Sequence, residues 1–209
     1  MTTDVEPRPA DIDGSESLVA TSPHRRTALE WLVGLCALLA PPLHSLTDAI
    51  EWHQGGFSPA QLWLNYVAFL PMPWLLLGVA AIRAPRASAV AIAGAALYGL
   101  AFVYFAHTTL YALAERVGDY ASLWERLGAA YTVHGALMVA GGLMFGASAL
   151  RGAWLPRVAV VPFLVGIVMN LALALLPGPD ILQVVGSAVR NAGLVAMGYA
   201  ILGGHRRRP

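Results

Sequence analysis

The sequence predicts an all-α, polytopic integral membrane protein, a six-transmembrane-helix bundle with both termini cytoplasmic. Three observations carry that expectation. The 209 residues are 57% hydrophobic and 12% charged, with a mean hydropathy of +0.62, outside the usual range of soluble domains. Apolar stretches long enough to cross a bilayer recur along the whole chain instead of collecting in one core. The arginines between those stretches fall on alternate sides, as the positive-inside rule requires.

Residues 1–26 are rich in Asp, Glu, Pro, Ser and Thr and lack periodicity, which predicts a disordered cytoplasmic tail. An acidic tail ahead of the first apolar run is not the basic-then-apolar order of a signal peptide, so that run is expected to stay as a helix. Residues 27–204 then form the transmembrane domain, and residues 205–209 a basic cytoplasmic C-terminus. The expected spans are 29–50, 61–82, 88–113, 129–150, 155–176 and 180–203. With the N-terminus inside, Arg8, Arg25, Arg26, Arg83, Arg86, Arg151, Arg157, Arg206, Arg207 and Arg208 lie inside, and only Arg116 and Arg126 lie in outer loops. All basic residues are Arg, and their dispersal over short loops argues against a nucleic-acid partner.

Between the third and fourth spans, Tyr120, Leu123, Trp124 and Leu127 recur at i, i+3, i+4 and i+7 among polar Asp119, Glu125 and Arg126. That pattern predicts a short helix lying on the interface. Pro41 and Pro42 are expected to interrupt the first span, Pro71 and Pro73 the second, and Pro162 the fifth, because each removes an amide donor. Breaks in two consecutive helices make room for a cavity. Gly142 and Gly146 form a small-xxx-small pair that predicts a close helix contact. The lone Cys36 allows no internal disulfide and reads as an inert packing residue.

Depth along the spans groups the costly polar residues. His44, Asp48, Asn65, Tyr66, His107, Tyr111, Tyr131, His134 and Asn170 all fall in the half expected to face outward, and the inner half has no comparable set. His44, Asp48 and Glu51 share one helical face through their i, i+4, i+7 spacing. Three imidazoles and a carboxylate, His44, His107, His134 and Asp48, form a ligand set suited to zinc or iron. Glu51 and Asp48 would then move protons, and Arg190, midway along the sixth span beside Asn191, would orient an anionic group. Asn65, Tyr66, Trp74, Tyr104, Tyr111, Tyr131, Asn170 and Asn191 are the expected substrate contacts.

The corresponding expectation is a membrane enzyme with a metal-supported site, acting on a lipid, an isoprenoid or another apolar small molecule. Three alternatives use the same residues. A metal-free isoprenoid cyclase would use Asp48 or Glu51 as acid, with aromatic faces stabilising the cation. A haem protein would use paired histidines at matching depth. A small transporter or lipid-binding protein would need only the cavity. The sequence leaves the oligomeric state open.

Overall fold

The computed structural model describes residues 26–176 and 178–203, which form eight helices. Six spans long and apolar enough to cross a membrane are present among them, so the chain is a multi-pass membrane protein. The expected tail and basic C-terminus lie outside the described residues, apart from Arg26.

Helix α1 (Ala28–Gln54) starts at a capping box in which Thr27 accepts from the Glu30 amide and the Glu30 carboxylate accepts from the Thr27 amide. It ends where Gly55 adopts φ 69°, a left-handed turn that favours glycine. Contrary to expectation, Pro41 and Pro42 sit inside this helix without interrupting it. The φ imposed by the proline ring is itself helical. Small residues also let neighbours grip the flanking turn, since Gly198 of the last helix packs against Gly34 and Ala37.

The second span does break. Helix α2 (Pro59–Phe69) and helix α3 (Met72–Ile82) meet at Leu70 and Pro71, where Pro71 and Pro73 both lack the amide that would continue the ladder. Ser58 caps α2 by accepting from the Gln61 amide, and Ser88 caps α4 (Ala89–Ala114) by accepting from Ala91. Helix α5 (Tyr120–Leu127) is the short helix expected from the loop periodicity, capped by Asp119. Helices α6 (Ala129–Gly152), α7 (Arg157–Leu175) and α8 (Asp180–Leu202) complete the bundle, and α7 runs unbroken through Pro162.

Each span packs against its chain neighbours, and α1 packs against α8, so the six spans close into a ring in chain order. At one end the middle of the ring is filled. Tyr98, Phe102, Phe145 and Phe163 are fully buried there with Met72, Leu76, Leu194 and Met197. The α4–α6 crossing is close because Gly141 meets the backbone of Gly94 and Tyr98, and any Cβ would collide. Gly142 and Gly146 face Ile167 and Leu164 of α7, as a close helix contact requires. The other end, formed by the C-termini of α1, α4 and α7 and the N-termini of α2, α6 and α8, is hollow.

Candidate functional site: a polar chamber at one end of the ring

The hollow end encloses a chamber of about 530 Å³. Its polar wall carries His44, Asp48 and Glu51 of α1, Asn170 of α7, and Ser187 and Arg190 of α8. The facing wall is largely apolar, with Leu62 and Phe69 of α2, Phe102 and Phe105 of α4, and Met138 of α6. Helix α5 covers the mouth with Tyr120, Leu123 and Trp124. It is held there by the Phe57 amide, which donates to the Gly118 carbonyl at 2.7 Å, and by an edge-on contact of Phe57 with Tyr120. Asp119 caps α5 by accepting from the Ser122 amide at 2.7 Å, a bond that holds its carboxyl below the usual carboxylate range.

Arg190 organises the polar wall. The residue is 2% exposed, and its Nη2 lies 3.3 Å from His44 Nδ1. A guanidinium only donates, so Nδ1 must accept and the proton of His44 sits on Nε2. That nitrogen lies 3.3 Å from Asp48 Oδ1. A neutral imidazole therefore links a buried cation to a buried carboxylate, and the three groups together carry no net charge. Arg190 Nη1 donates to Met138 Sδ at 3.1 Å, and Nε donates to Asn191 Oδ1 at 3.4 Å. With its amide turned to satisfy both neighbours, Asn170 accepts from Nη1 at 3.2 Å and donates to the Gly166 carbonyl at 3.2 Å. Four of the five guanidinium protons are thus engaged. Phe102 lies beneath the guanidinium, 5.9 Å from ring centroid to Cζ. Gly166 permits the whole arrangement, because a side chain there would strike the Arg190 backbone.

Further bonds fix α1. Asn191 donates to Ser45 Oγ at 2.9 Å, and the Thr47 hydroxyl lies 2.8 Å from the His44 carbonyl and 3.0 Å from Asn65 Oδ1. Gln61 donates to the Thr47 carbonyl at 3.4 Å. Asn65 and Asn191 are thus buried structural partners, and Asn65 also borders the chamber.

The expected metal ligands are not brought together. Among the described residues, no group of three or more His, Cys, Asp and Glu side chains is placed to hold a metal ion. His44 and Asp48 pair with each other. His134 instead lies 3.3 Å from the Thr108 hydroxyl and stacks on Tyr104 at 4.8 Å. His107 is exposed on the outer surface of the ring, beside Tyr66 and Trp74 in a groove of about 310 Å³. The reason is rotational. Successive helical residues point about 100° apart, since 3.6 residues make a turn, and Thr108 and Thr109 take the inward positions on α4. Leaving a neutral imidazole at the surface costs far less than leaving a charge there.

The remaining expected contacts divide between the two surfaces. Tyr131 and Asn170 line the chamber, Tyr66 and Trp74 line the groove, Tyr104 is 40% exposed, and Tyr111 packs with Leu62 and Leu123 beneath α5. Sequence reasoning missed Ser45, Thr47, Gln61 and Ser187. Small hydroxyls and amides are affordable at many depths, so none of them stands out before its neighbours are known. No protein-family model, curated protein or solved structure matches this chain.

Proposed function

We propose that the chain is a lipid-binding membrane protein whose chamber holds an isoprenoid-like molecule with a hydrogen-bond-donating head. One observation carries the reading: a single chamber joins a charged wall on α1 and α8 to an aromatic wall on α2 and α4. Its volume of about 530 Å³ lies within the range of roughly 300–1,000 Å³ typical of small-molecule sites. The choice of head group follows from which charges are free. Arg190 is engaged on four protons, whereas half-buried Glu51 and exposed Asp180 both line the chamber with no ion-pair partner among the described residues. An alcohol or amine suits Glu51, and a chain suits Phe69, Phe102 and Phe105. The arginine bias supports a chamber opening toward the outside.

The test is titration of the full chain in nanodiscs with geranylgeraniol, read by tryptophan fluorescence because Trp52 and Trp124 border the chamber. Saturable binding is expected, weakened about tenfold or more by Val184→Phe on the half-buried chamber wall. No saturable change in the unaltered protein would refute the reading.

The cyclase alternative has one specific observation in its favour. His44 makes edge-to-face contacts with Phe69 and Phe102, with centroids 4.8 and 6.1 Å away, so two aromatic rings adjoin the His44–Asp48 pair. Gas chromatography of the bound alcohol decides between the two. Unchanged geranylgeraniol supports binding alone, and a cyclised product supports catalysis.

A further inference from the structure

The chamber and the outer groove share two residues. Phe69 and Phe102 line both, from opposite sides, with ring centroids 5.4 Å apart in an edge-to-face contact. The groove sits where the second span breaks, bounded by Leu70, Pro73 and Trp74 on one side and by Val103, Ala106, His107 and Leu110 of α4 on the other. Opposite Pro73, Gly99 of α4 lies close enough that a Cβ there would meet the Pro73 carbonyl at 2.9 Å. An unbroken second helix would run a continuous ridge of side chains along α4. The break replaces part of that ridge with two prolines, and Phe69 and Phe102, backed on the chamber side by Phe105, stand between groove and chamber.

We propose that this groove is a second binding site, in which the chain of the same isoprenoid-like molecule docks from the bilayer and passes between Phe69 and Phe102 into the chamber. This rests on the ligand reading above and adds to it that the molecule is membrane-dissolved and arrives sideways. Three features of the molecule point that way. The other way in, the mouth, is covered by α5, tied down at Gly118 and Tyr120. The groove is apolar along its length apart from His107 and Tyr66, as suits a hydrocarbon chain with one polar end. Phe69 is the last residue of α2, next to the break at Leu70 and Pro71, so a side-chain rotation that moves its ring does not require a span to unwind.

The experiment separates the two routes. In a Cys36→Ala background, Leu70→Cys in the groove and Ala121→Cys at the chamber mouth, both exposed, are each modified with pyrenyl maleimide. Uptake of geranylgeraniol added to the nanodisc lipid is followed by tryptophan fluorescence under stopped flow. The proposal expects the modified Leu70→Cys protein to take up the alcohol about tenfold more slowly than the same variant unmodified. Modification of Ala121→Cys should slow uptake by less than about twofold, and Phe69→Leu should speed it. Slowing by the mouth modification alone, with binding intact, overturns the lateral route and leaves the chamber reading standing. Absence of binding in the unmodified variants and in the Cys36→Ala parent overturns both.

Discussion

At the scale of single residues, the decisive feature is that one guanidinium does the work of several partners. Arg190 is buried among His44, Met138, Asn170, Asn191 and Phe102, and it balances the Asp48 charge across an imidazole whose tautomer it dictates. Arg190→Met removes the cation and leaves the Asp48 carboxylate uncompensated, which costs about 3–5 kcal/mol. Asp48→Asn similarly strands the arginine. The double variant should cost less than the sum of the two by about 1–3 kcal/mol, because neither group is then left charged alone. Melting of the three variants in detergent measures this coupling, and strict additivity would show that His44 does not connect them. Next to these residues, His107 shows the limit of arguments from type. It has the same chemistry as His44, but it lies one position from the inward-facing Thr108 and so faces away from the chamber.

At the scale of elements, two helices matter because of how they begin and end. The break between α2 and α3 falls where Pro71 and Pro73 lack amides within one turn, and it places the groove against α4. Helix α5 depends on its cap. The Ser122 amide bond lowers the Asp119 pKa in the folded state. A depressed carboxylate contributes order above its unfolded pKa and loses it as pH falls through the folded value. Protection of the Ser122 amide against hydrogen exchange, corrected for intrinsic rate, should therefore be full at neutral pH and disappear only below the ordinary carboxylate range. Asp119→Ala should lose that protection at every pH, and Asp119→Asn should keep most of it without the acid transition.

At the scale of the whole molecule, six spans in chain order form a ring closed by α1 against α8, packed solid at one end and hollow at the other. The arginine distribution predicts that the hollow end faces outward. A cysteine introduced at Asp119 in the Cys36→Ala background should react with an impermeant thiol reagent on intact cells, and one at Ser88, at the far end of α4, should be protected. The reverse pattern would turn the chamber toward the cytoplasm. It would leave the ring and its internal bonds unchanged.

Sequence alone determined that this chain is a helical membrane protein with six spans and that a short amphipathic helix follows the third. Each of these depends on local quantities: hydropathy over some twenty residues or a 3.6-residue period. Prolines marked three spans for a break, and only the second broke, so the missing amides did not decide the matter by themselves. The sequence also placed His44, Asp48, Asn170 and Arg190 at compatible depths, because depth is simply position along a span. Only the tertiary structure decided which polar residues meet. Depth does not specify the rotation of one helix against another, and a shift of one residue turns a side chain about 100°. Packing at Gly141, Gly166 and Gly198 sets those rotations, bringing Arg190 to His44 while leaving His107 at the surface and His134 with Thr108. Helix α1 stays helical through Pro41 and Pro42, where the isolated sequence favoured a break.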